Sequence, residues 1–114
     1  MPDFAREIFV SFIRLHVLHH AAHAPIYGVE MLEELQRHGY RMSPGTLYPV
    51  LHQLQAQGYL ECERRVIAGK ARKYYRTTEL GRQVLEAARP KIRELMEEVL
   101  EDARGTEGGR NAPA

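Results

Sequence analysis

The chain has 114 residues, 16 of them basic and 15 acidic, with 44% hydrophobic content, one cysteine and no tryptophan. Such a composition fits one small globular domain and excludes a disordered chain, while no apolar run approaches the roughly 20 residues of a membrane span. Cys62 has no partner for an internal disulfide, and the N-terminus lacks an export pattern, so a reducing, cytoplasmic setting without a membrane partner is expected.

Phe4, Ile8, Phe9, Phe12, Ile13, Leu15 and Leu18 recur at helical spacing and predict a first helix from about Asp3 to Ala22, ended by Pro25. A second helix is expected from Gly28, carrying Val29, Met31, Leu32 and Leu35 and closed at His38-Gly39, where Gly39 supplies a C-terminal cap. After a short turn at Arg41-Met42, Ser43 reads as an N-cap and Pro44 as the first residue of a third helix reaching about Gln57. Leu47, Val50, Leu51 and Leu54 fall on its core face, leaving Gly45, Thr46, Tyr48, Pro49, His52 and Gln53 largely on the other. Pro49 should distort it locally.

Two strands follow, Tyr59 to Ile67 and Lys70 to Thr77, around the turn Ala68-Gly69. One ring of Tyr74 and Tyr75 must point inward, because neighbours on a strand face opposite ways. Thr78 is the expected N-cap of a long fourth helix with the stripe Leu80, Val84, Ala88, Ile92, Leu95 and Val99. Pro90 lies inside that stripe and should bend the helix or break it in two. Beyond Arg104 the composition reads as a disordered tail.

A helix pair followed by a basic hairpin is the pattern of a winged helix-turn-helix, and the charge distribution agrees. Residues 1–40 hold three arginines against five acids, and residues 77–114 hold six basic against eight acidic, a net −2 each. Residues 41–76 hold seven basic residues against Glu61 and Glu63, a net +5, so the basic footprint falls on the third helix and the hairpin.

Three motifs carry a family resemblance. Ile26-Tyr27-Gly28 before a helix, Ser43-Pro44-Gly45-Thr46-Leu47-Tyr48-Pro49 at the next, and Lys73-Tyr74-Tyr75-Arg76-Thr77-Thr78-Glu79-Leu80-Gly81 at the end of the hairpin resemble the PadR family of bacterial transcriptional regulators, over roughly residues 8 to 100. The expected fold is mainly α (α+β): residues 1–104 form a winged helix-turn-helix domain with N- and C-terminal dimerisation helices at about 3–22 and 78–103, and 105–114 form the disordered tail. The resemblance implies a homodimer on double-stranded DNA, reading a palindromic promoter site as a repressor that an effector releases. The reading set against it is a winged-helix protein-interaction module without sequence-specific DNA binding. An enzyme is not expected, since the chain shows neither a glycine-rich phosphate loop nor a convergent nucleophile and base.

A helix in the major groove presents side chains of its N-terminal turns to base edges while hydroxyls and cations meet phosphate. The candidate DNA contacts are therefore Thr46, His52 and Gln53 for the groove, Ser43 and Tyr48 for phosphate, and Lys70, Arg72 and Lys73 at the wing tip for phosphate or the minor groove. Arg76, at the wing base, is placed for an acid of the fourth helix. His16, His19, His20 and His23 share a helical face, so His16/His20 and His19/His23 are candidate chelating pairs, with Glu30 or a residue of a second subunit to complete a site. The family resemblance permits zinc or cadmium as an effector, with no cofactor required. The same histidines can instead simply pack, or respond to pH. Cys62, on a wing strand, reads as a small buried apolar residue.

Overall fold

Seven elements follow one another in the computed structural model, which describes residues 3–107, with side chains as far as Asp102. They are α1 (Asp3–His23), β1 (Ile26–Tyr27), α2 (Gly28–Arg37), α3 (Pro44–Ala56), β2 (Leu60–Ile67), β3 (Lys70–Thr77) and α4 (Glu79–Glu107). The strands form one antiparallel sheet in the order β1-β3-β2. The two-residue β1 has no counterpart in the sequence reading. It exists only by pairing with β3, Ile26 opposite Tyr75 and Tyr27 opposite Tyr74.

The core is built from one face of each helix. Ile13, Val17, Leu18 and Ala21 of α1, Met31 and Leu35 of α2, and Leu47, Val50, Leu51 and Leu54 of α3 bury together beneath Leu60 and Tyr75 of the sheet. Phe4, Phe9 and Phe12, part of the helical repeat of α1, stand exposed. Val17 and Ala21 take the packed positions, so the aromatic side of α1 faces away from its own domain.

Both helices of the helix-turn-helix end in the same way. Gly39 and Gly58 take positive φ (92° and 85°), and the amides at Gly39 and Tyr40, then at Gly58 and Tyr59, donate back to Gln36 and Leu35, then to Gln55 and Leu54. Each is a Schellman cap that satisfies otherwise orphaned carbonyls. At the start of α3 the Ser43 backbone is extended and its carbonyl accepts from the Thr46 and Leu47 amides, but its side chain makes no cap bond. The Ser43 Oγ lies 3.4 Å from Thr46 Oγ1. The expected hydroxyl cap is thus replaced by a hydroxyl pair on the surface.

Thr78 does cap α4. Its Oγ1 accepts from the Gly81 amide at 3.1 Å and donates to the Gly58 carbonyl at 2.6 Å, tying the start of α4 to the end of α3. Thr77, buried, donates to the Leu18 carbonyl at 2.8 Å and joins β3 to α1. The helix then runs unbroken through Pro90 to Glu107, so the break allowed for at Pro90 does not occur and the helix passes its expected end near residue 103. Most of the expected disordered tail, residues 108–114, lies outside the described residues.

Candidate nucleic-acid interface and histidine cluster

The outward face of α3 is open along its length: Ser43, Thr46, Tyr48, His52 and Gln53 are all exposed. The opposite face supplies four core residues, and this burial fixes the helix's rotation. Tyr48 rests on the backbone at the start of α2. A Cβ at Gly28 would collide with its ring and hydroxyl oxygen, which explains why Tyr27-Gly28 and Thr46-Leu47-Tyr48 belong to one arrangement. Between α3, the start of α2 and the wing lies a cleft of about 320 Å³ lined by Tyr27, Gly28, Tyr48, Arg72, Lys73 and Tyr75, among others.

The wing turn places Ala68 and Gly69 at φ 53° and 78°, the pair of left-handed residues that matches the twist of a two-residue hairpin. That register sets Arg65 directly opposite Arg72 and Arg64 opposite Lys73. Like charges facing each other across an antiparallel ladder disfavour the hairpin, and a polyanion along the wing would reverse that penalty. Part of the charge is answered internally. Arg65 reaches Glu63 at 3.1 Å, and Arg76 donates to Glu61 on β2, with Nε at 2.9 Å. This corrects the sequence expectation that Arg76 pairs with the fourth helix, since the cross-strand partner is nearer than any acid on α4's first turns. Among the described residues no acid pairs with Arg64, Lys70 or Lys73. The Arg72 guanidinium lies over the Tyr27 ring, 4.3 Å from its centroid, and Arg65 lies 5.1 Å from that of Tyr74. Such stacking fixes a cation while leaving its charge available.

Tyr75, not Tyr74, is the inward ring, and burial pushes its hydroxyl pKa up to about 12, with Cys62 and Tyr48 adding to the rise. Cys62 is half-buried against the core beside it, in keeping with a small packing residue.

The structure divides the histidine face in two. His16 and His20 turn toward α2, where His38 follows the last helical residue. The ring centroids of His16 and His38 lie 4.7 Å apart, those of His20 and His38 5.4 Å, and those of His16 and His20 6.0 Å, all near-parallel. Glu34 Oε1 stands 3.6 Å from His38 Nε2 and 3.9 Å from His20 Nε2. His19 and His23 pack against each other on the α4 side, in a surface cleft they share with Arg82, Glu86 and Arg89. Glu30, suggested as a further ligand, accepts instead from the Tyr27 amide at 3.3 Å. Burial lowers the pKa of His16, His19 and His20. Neighbouring imidazoles add to this for His16, His23 and Arg89 add to it for His19, and Glu34 opposes it at His20.

Residues 17–87 match the model of the Transcriptional regulator PadR-like family. The chain belongs to this family. It is 52% identical over 95 residues to Transcriptional regulator Rv3488 of Mycobacterium tuberculosis (strain ATCC 25618 / H37Rv), covering 83% of this chain and 89% of that protein. It is also similar to the solved PadR family transcriptional regulator of Eggerthella lenta DSM 2243, with TM-score 0.64 and 33% identity over 85% of this chain and 86% of the other. The PadR-like regulator of Bacillus cereus strain ATCC 14579 shares the fold, with TM-score 0.76 and 24% identity over 91% of this chain and 99% of the other. Membership makes the chain a DNA-binding transcriptional regulator rather than an enzyme.

Four residues of this PadR-like chain escaped the sequence reading. Tyr27 belongs to a motif that gives it no role of its own, yet its ring seats Arg72. Arg64 enters the sequence only as part of the basic footprint, whereas the register sets it beside Lys73. A two-residue turn at Ala68-Gly69 fixes that pairing by counting outward, so the signal was present. His38 and Glu34 had no such signal, because only the packing of α2 on α1 brings them to His16 and His20.

Proposed function

We propose that this PadR-like regulator is a homodimeric repressor that sits on a palindromic promoter site and leaves it when an effector alters the angle between its two wings. The observation that carries the reading is the open face of α3 beside a wing whose Arg64, Lys70 and Lys73 have no acid partner among the described residues. Phosphate contacts supply most of the affinity of such an interface, and base edges supply its selectivity. Thr46, His52 and Gln53 take the groove in this reading. Ser43 and Tyr48 meet phosphate, and Lys70, Arg72 and Lys73 lie along the flanking backbone.

The dimer rests on apolar surface that its own domain leaves uncovered. On α4, Ile92, Leu95, Met96, Val99 and Leu100 are exposed, and on α1 so are Phe4, Phe9 and Phe12. Contiguous patches of this kind on a small chain mark an interface, and two-fold pairing of identical helices is the usual closed solution. Repression by occupancy needs nothing beyond these two surfaces. Footprinting on the DNA upstream of the protein's own gene tests the assignment. Two inverted protected blocks are the expected result, and a uniform pattern without preferred positions contradicts it.

A further inference from the structure

We propose that His16 and His20 of α1 and His38 at the end of α2 bind a divalent transition-metal ion of the zinc class, with Glu34 Oε1 in the fourth position. One ligand atom from each histidine lies within 4.8 Å of the others. Tetrahedral zinc with bonds of about 2.0–2.1 Å to nitrogen separates its donors by roughly 3.4 Å. Closing the site requires the three rings to turn about their side-chain bonds, bringing together nitrogen lone pairs that lie in the ring planes. The His38 ring, carried just past the end of α2, stacks near-parallel on both His16 and His20 of α1, a convergence that sequence spacing alone does not produce.

A second, independent observation points to a ligand. The His20 Nε2 atom is buried and has no hydrogen-bond partner among the described residues; Glu34 Oε1, at 3.9 Å, is too distant to satisfy it. Buried polar atoms are nearly always paired, and an orphan calls for an explanation such as an ion. Glu34 is held for the fourth position, since its other oxygen accepts from Arg37 Nη1 at 2.8 Å while Oε1 faces the histidines. Three imidazoles and one carboxylate suit zinc, cobalt or nickel. Calcium and magnesium demand oxygen shells, and the softest ions prefer thiolate, which Cys62 on the wing does not bring here.

The site differs from the four-histidine face that helical spacing suggests, because His19 and His23 lie on the α4 side and take no part. An ion held there staples α1 to the residue just past the end of α2, five residues ahead of Ser43 and the recognition helix. That consequence for DNA rests on the regulator reading above, whereas metal binding itself does not.

The test uses tag-free, chelator-treated full-length protein titrated with zinc against a chromophoric chelator, with circular dichroism to confirm folding. The wild-type chain is expected to bind one zinc per chain, and the His19→Ala/His23→Ala double variant to match it. His38→Ala and His20→Ala are each expected to lose affinity by about tenfold or more, since even outer-shell changes cost 10- to 100-fold. His38 is half-exposed beyond the last helical residue, so its replacement remains decisive even where the His20 variant fails to fold. Absence of zinc binding, retention of full affinity in His38→Ala, or loss of affinity in the His19/His23 variant each overturns the proposal.

Discussion

Tyr48 and Gly28 show how single residues set the DNA face. The ring of a recognition-helix residue occupies the space a side chain at Gly28 would need, so α3 packs its tyrosine directly on the backbone at the start of α2. Gly28→Ala should cost about 1–3 kcal/mol, as overpacking does. A cycle with Tyr48→Ala, followed by thermal unfolding, should show that the penalty largely vanishes once the ring is gone. Additive effects would mean that the two residues do not pack on each other. The half-buried histidines carry a second consequence. Burial lowers the pKa values of His16, His19 and His20 from 6.5, so the folded chain binds fewer protons than the unfolded chain in the window below that value. Their contribution to stability is therefore complete above pH 6.5 and declines as pH falls toward the lowered values. Denaturant unfolding between pH 7.5 and 5.5 should show the wild type losing stability, and a chain with all three changed to Asn losing less. Equal losses in the two chains would count against this account.

Among the elements, those with a strong local signal were legible. The periodicity of Leu47, Val50, Leu51 and Leu54 fixed the third helix and its outward face, and Ala68-Gly69 fixed the hairpin and its register. What was not legible depends on neighbours. The strand at Ile26-Tyr27 is too short to announce itself without β3, and the aromatic face of α1 cannot be told from its core face by spacing alone. The histidine stripe looked like one site because four residues share an arc, yet α2 and α4 divide that arc between them. Proline at position 90 allows either a bend or a break because its missing amide removes one bond, and of the two the break does not occur, since the surrounding turns carry the helix through. The wing tip offers a test at this scale. Ala68 occupies the left-handed region at φ 53°, where a side chain with a Cβ costs about 1–2 kcal/mol. Ala68→Asn, which tolerates that conformation, should raise stability by roughly 0.5–1 kcal/mol. A lowered melting temperature would show that the tip is set by something other than local backbone preference.

For the whole molecule, an amphipathic α4 whose exposed half reaches away from the domain gives it a length of 64 Å against 28 and 25 Å across. Leu95 and Val99 are 57% and 55% exposed on that arm, a position that favours a second copy over solvent. Changing both to Glu should convert a dimer to a monomer in sedimentation at micromolar concentration, with the domain still folded. A wild-type chain that is already monomeric under the same conditions would refute the dimer. The central claim, DNA reading by α3 and the wing, is tested most directly by fluorescence anisotropy on the upstream DNA over a range of salt. The wild type is compared with a variant in which Lys70, Arg72 and Lys73 are all changed to Gln. Selective binding is expected, with a logarithmic salt slope flatter in the variant by about 0.9 for each of these cations that meets a phosphate. An unchanged slope, or binding that shows no preference for the upstream sequence, would contradict the account and favour a winged helix that binds protein instead.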